Sequence, residues 1–103
     1  MRFASSLFAL VLLSAPAAQA ASRAQGRRLV QPCAHCHAIG PQGASPNPKS
    51  PPFRTLGKRY PVSDLQEALV EGIVVGHDGM PQFDFTADQA RDIVAYLKSI
   101  QRK

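Results

Sequence analysis

The chain has 103 residues, enough for one domain and no more. Its 12 basic residues outnumber 7 acidic ones for a net charge of +5, yet aromatic residues make up only 7% of the chain and do not alternate regularly with the basic ones, which speaks against a nucleic-acid surface. The sequence contains neither an internal repeat nor a composition shift that would mark a second domain.

Taken from its start, the chain opens with Arg2, the apolar run Leu7–Leu13 and the small-residue triplet Ala18-Gln19-Ala20. These read as the positive start, hydrophobic region and cleavage site of a secretory signal peptide. Residues 1–20 are therefore expected to be removed, which takes 20 from 103 and leaves 83 residues, 21–103, as the working domain. The alternative is an uncleaved N-terminal anchor, but the run is far shorter than the roughly 20 residues a membrane span needs. The expectation is a soluble, monomeric periplasmic protein without a membrane span after cleavage. A domain of that length buries only a modest core.

From Ser22 to Val30, Ala24, Leu29 and Val30 suggest a helix. Gly26 is either a weak point in it or the place where another helix comes close. Pro32 removes a backbone donor and biases Gln31 away from helical geometry. The helix should therefore end or kink there, with Cys33–His37 forming a turn of its own. Residues 39–52 are rich in Pro, Gly, Ser and Asn and read as a loop. Phe53–Gly57 reads as a short helical turn carrying Phe53 and Leu56 inward. Ser63 and Gln66 suggest a capping box for a helix through about Val70, with Leu65, Ala68 and Leu69 on one face and Gly72 as its stop. Ile73-Val74-Val75 then runs into a loop, Gly76–Pro81. In the last element Thr86 and Gln89 form a second capping box, and Phe85 with Ala90 fits a hydrophobic staple. Ala90, Ile93, Val94, Leu97 and Ile100 recur at helical spacing. The fold class expected is all-α, with three main helices plus loops.

The five residues Cys33-Ala34-His35-Cys36-His37 read C-x-x-C-H, the pattern for covalent attachment of one c-type haem. Two thiols about one helical turn apart add across two vinyl groups on one haem edge, and the next residue places an imidazole on the iron. Other readings explain less. A disulfide between Cys33 and Cys36 leaves His37 without a purpose, and a thioredoxin-like pair needs a βαβ context. Zinc held by Cys33, Cys36, His77 and either His35 or His37 lacks the usual second pair of ligands. A metal-bound histidine donates its second ring N–H to a fixed acceptor. Proline supplies a carbonyl without an N–H, so Pro51 and Pro52 are the candidates.

Without Met1, Met80 is the single methionine, and it stands in a Gly-containing loop just before Pro81. A methionine there is either packing material or the sixth iron ligand, since Met/His coordination is an electron-transfer arrangement for c haem. Met80 is preferred over His77, three residues earlier. If neither binds, the open position makes the protein a gas binder or peroxidase.

Together these features resemble the class I monohaem cytochromes c. The shared stretches are Cys33–His37, Ile39-Gly40-Pro41, Pro51-Pro52-Phe53, Met80-Pro81 and Ile93-Val94-Ala95-Tyr96-Leu97. The resemblance implies a helical fold wrapped around one covalent haem, His37 and Met80 as axial ligands, and electron transfer at an exposed haem edge. It also implies that Gly26 and Leu29 pack near Tyr96 and Leu97. Pro32 departs from the family pattern and points to a shortened first helix. The proline-rich loop leaves the His37 acceptor open between Pro51 and Pro52.

Charge is segregated along the chain. Seven basic residues and no acid lie between Arg23 and Arg59, whereas all seven acids lie between Asp64 and Asp92. The basic half serves either solubility or the steering of an acidic redox partner. Arg54, Arg59 and Tyr60 are candidates for holding the haem propionates. The reading is a non-enzymatic single-electron carrier between a dehydrogenase donor and an oxidase or reductase acceptor. A cytochrome subunit permanently docked on a dehydrogenase is the remaining alternative.

Overall fold

A computed structural model describes residues 2–13, 20–72 and 79–102. The described residues form helices α1 (Arg23–Leu29), α2 (Leu65–Glu71) and α3 (Ala87–Ile100), with 3-10 turns at Gln31–His35, Phe53–Lys58 and Val62–Asp64. No strand occurs among them, so the fold is all-α. Residues 2–13 carry no regular structure and expose Leu7, Phe8 and their apolar neighbours. Among the described residues no helix is long and apolar enough to cross a membrane.

The framework is the crossing of α1 on α3. Gly26 makes it possible: a Cβ there would run into the Asp92 backbone carbonyl and come within 2.8 Å of Tyr96 Cβ. Close approach is thus its role, and the proximity to Tyr96 implied by the resemblance holds. Ser22 caps α1 with its side chain, while its own N–H donates to Asp92 Oδ1 at 2.7 Å, joining the start of α1 to the middle of α3. As Pro32 demands, α1 stops at Leu29 and the chain tightens into the 3-10 turn that carries the cysteines.

Below the crossing lies a core of Val30, Phe53, Leu56, Val62, Ile93 and Leu97. Phe53 and Leu56 are both buried by the 3-10 turn that bears them. That turn is held to α3 by Gln101, whose Oε1 accepts from the Gly57 N–H at 2.7 Å and whose Nε2 donates to the Phe53 carbonyl at 2.8 Å. At the other end of α3 the capping box of Thr86 and Gln89 is complete.

The capping box expected from Ser63 and Gln66 does not form. The chain enters α2 through the turn Val62–Asp64, so Asp64 already has helical angles (φ −66°, ψ −19°) and its side chain makes no capping bond. A capping side chain acts from extended backbone. Here the Asp64 N–H is instead satisfied by the Pro61 carbonyl at 3.0 Å. Gly72 does end α2, in the left-handed conformation with φ +71°.

Candidate haem site

The turn after α1 sets the first group of side chains. Cys33 N–H donates to the Val30 carbonyl, and the N–H groups of Cys36 and His37 both return to the Cys33 carbonyl at 3.1 and 2.9 Å. This winding places Cys33 and His37 in the lining of one apolar cavity of about 210 Å³. Both thiols are free. Burial raises the Cys33 thiol above its ordinary pKa, with its backbone hydrogen bond opposing weakly. Cys36 is half-buried and is not among the residues that line this cavity.

His37 is buried, and its Nδ1 lies 2.8 Å from the Pro51 carbonyl oxygen. A carbonyl only accepts, so Nδ1 carries the proton of this hydrogen bond, and the neutral ring in that tautomer has its lone pair on Nε2, as binding to a metal requires. Phe53 packs on the ring with centroids 4.8 Å apart. The acceptor itself is well anchored. Asn47 N–H donates to the Cys36 carbonyl, Ser50 N–H to that of Asn47, and Phe53 N–H to that of Ala38. The Ala38 N–H meets Ser45 Oγ at 3.0 Å. The Pro52 carbonyl is engaged elsewhere, by Thr55 N–H and Thr55 Oγ1. The choice that the sequence left open therefore falls on Pro51.

Met80 is half-buried and lines the same cavity as His37. His77, the competing residue, and the stretch Ile73-Val74-Val75 lie outside the described residues. Among the described residues no cluster of three His, Cys, Asp or Glu side chains is placed to hold a metal. The remaining walls are aliphatic and aromatic: Leu65, Leu69, Ile93 and Leu97 from the helices, with Phe83 and Phe85 from the segment after Met80. The two phenylalanines stack with centroids 6.0 Å apart.

Arg59 and Tyr60 line the cavity, and so does Lys49. Arg54 does not; its Nη1 donates to the Gly43 carbonyl at 2.7 Å and braces the loop instead. Burial raises the Tyr60 phenol above its usual pKa, partly offset by the neighbouring Arg59 charge. Lys49 and Phe83 had no distinguishing signal in the sequence beyond their nearness to Pro51 and Met80.

These donors suit a haem. A flat, largely apolar ring matches apolar walls, a buried imidazole and a thioether suit iron, and the cationic and phenolic groups suit two propionates. The haem would be held by Cys33, Cys36 and His37, with Met80 as the additional ligand candidate. Compared with known protein families, residues 23–101 match the family model described as Cytochrome c. A search of curated proteins gave no match.

Proposed function

The chain belongs to the cytochrome c family, which carries covalently attached haem c and transfers electrons, and on that premise we propose an exported, non-enzymatic carrier with His37 and Met80 as axial ligands. When bound, haem supplies a one-electron iron couple. Cys33 and Cys36 anchor it through thioethers. His37 presents Nε2 from a ring whose tautomer and orientation are held by the Pro51 carbonyl and Phe53. Apolar side chains such as Ile93, Leu97 and Phe85 exclude water, which limits the reorganisation that accompanies a change of charge. The single observation that carries the ligand assignment is that His37 and Met80 line one cavity.

Periplasmic placement is supported by the sequence pattern of residues 1–20. A monomer that meets its dehydrogenase donor and its oxidase or reductase acceptor transiently is supported by the charge segregation, with Lys49 and Arg59 both exposed and on the cavity lining.

Spectroscopy of the ferric protein tests the ligation. A neutral thioether favours ferrous iron, so Met/His coordination raises the potential. The ferric protein is expected to show the weak near-infrared sulfur-to-iron charge-transfer band. Met80→Ala should abolish that band, lower the potential and open the iron to cyanide, whereas His77→Ala should leave all three unchanged. Opening by His77→Ala instead would transfer the ligand role to His77. A native protein that binds carbon monoxide and lacks the band would be the gas-binding or peroxide-reducing alternative.

A further inference from the structure

Asp92 stands half-buried in the middle of α3, where the start of α1 meets it. Its Oδ1 accepts from the Ser22 N–H at 2.7 Å, yet among the described residues it forms no ion pair. The cations close to it in sequence or across the contact are otherwise placed: Arg91 pairs with Asp88, and Arg23 is exposed on α1. The remaining titratable groups of these helices and of α2 supply no positive charge here. Tyr96 donates its hydroxyl to the Ile39 carbonyl, and Glu67 and Glu71 are exposed acids. A half-buried carboxylate is favoured by an opposite charge close by.

One residue before Ser22 stands Ala21, which is exposed and follows the expected cleavage point. Hydrolysis of the Ala20–Ala21 bond puts the hydroxyl of water on the Ala20 carbonyl carbon and its hydrogen on the Ala21 nitrogen. The α-amine so formed takes up a proton at neutral pH. Successive backbone nitrogens lie at most about 3.6 Å apart, so this ammonium falls within about 6 Å of Asp92 Oδ1 however the Ala21 backbone turns. We infer that the α-ammonium of Ala21 is the counter-charge of Asp92, so that leader removal completes the α1–α3 junction with an ion pair as well as releasing the domain. This rests on the export reading proposed above, with cleavage after Ala20. The Ser22 bond is kept, and the pair adds to it.

The test compares thermal melts of the processed ferric holoprotein with a form carrying an inserted Asn-Thr pair between Ala20 and Ala21. The insertion keeps a free amine but carries it up to about 7 Å further along the chain. The inserted form should melt about 3 °C lower at neutral pH and low salt, and the gap should shrink in about 1 M salt. Pairing holds the proton on the amine, so its contribution is complete below the ordinary α-amine range, about 8, and is lost as pH rises through the raised value. The gap should therefore close by about pH 10. In an Asp92→Asn background the insertion should leave the midpoint unchanged, because asparagine still accepts from the Ser22 N–H but offers no charge. Equal losses in the two backgrounds would overturn the inference, and so would no loss in the native one. Should Asp92→Asn yield no folded holoprotein, the pH series decides: a gap that closes supports the pair, and one that persists overturns it. The mass of the exported chain separates the inference from its premise. A start elsewhere than Ala21 removes the cleavage reading and this inference with it, whereas a start at Ala21 without the coupling overturns the inference alone.

Discussion

Pro51 holds His37 with a carbonyl that has no amide hydrogen of its own to satisfy, on a backbone whose freedom is further cut by Pro52. Its neighbours in the chain are held by a second long-range bond. Tyr96 on α3 donates its hydroxyl to the Ile39 carbonyl at 2.6 Å, two residues past the imidazole. Tyr96→Phe keeps the packing and deletes this bond, leaving a half-buried carbonyl short of a partner. The expected loss is about 1 kcal/mol, measured as a lower denaturant midpoint with an unchanged slope. The sequence motif named His37 and the attachment cysteines because that chemistry is local and tied to spacing. It did not choose between Pro51 and Pro52, which carry the same groups. Only Thr55, by occupying the Pro52 carbonyl, separates them.

With seven residues, α1 is too short to persist on its own; it is a helix because α3 accepts it. Gly26→Ala places a methyl against the Asp92 carbonyl and forces the two axes apart. Overpacking of this kind costs about 1–3 kcal/mol, and a thermal melt of the holoprotein should report the corresponding fall in midpoint. An unchanged midpoint would show that α1 can shift without loss. The fully local signals were legible: the apolar period of α3, the Thr86 box, the proline stop after α1 and the glycine stop after α2. The start of α2 was not, since Ser63 and Gln66 have the composition of a box, and only backbone angles reveal a 3-10 entry. The Gln101 amide was equally invisible. It bridges residues 44 and 48 positions away in the chain, and polar termini of helices usually face water.

Across the molecule, much of the buried core doubles as the wall of the cavity that the proposed haem would fill. The buried side chains Val30, Phe53, Leu56, Ile93 and Leu97 all contribute to the wall of that cavity. Cys33→Ala with Cys36→Ala is therefore expected to leave a chain with little stable helix, seen as weak far-ultraviolet dichroism and the absence of a cooperative melt. A sharp transition in that variant would refute this. Charge is expected to act at the same level. Lys58 and Arg59 are both exposed, and Arg59 reaches the cavity lining. Reversing both to Glu should slow electron exchange with the natural partner and flatten its dependence on salt, with an unchanged spectrum. Equal rates at low salt would assign these charges to solubility. The bond from Ser22 N–H to Asp92 Oδ1 spans 70 positions of sequence, and it carries a consequence for timing. The first helix finds its partner only when the last has emerged, so during synthesis the chain has nothing to close upon. On the proposed attachment at Cys33 and Cys36, the thiols stay open to that chemistry while the chain lacks its cofactor, and closure of the fold becomes the step that seals the product in.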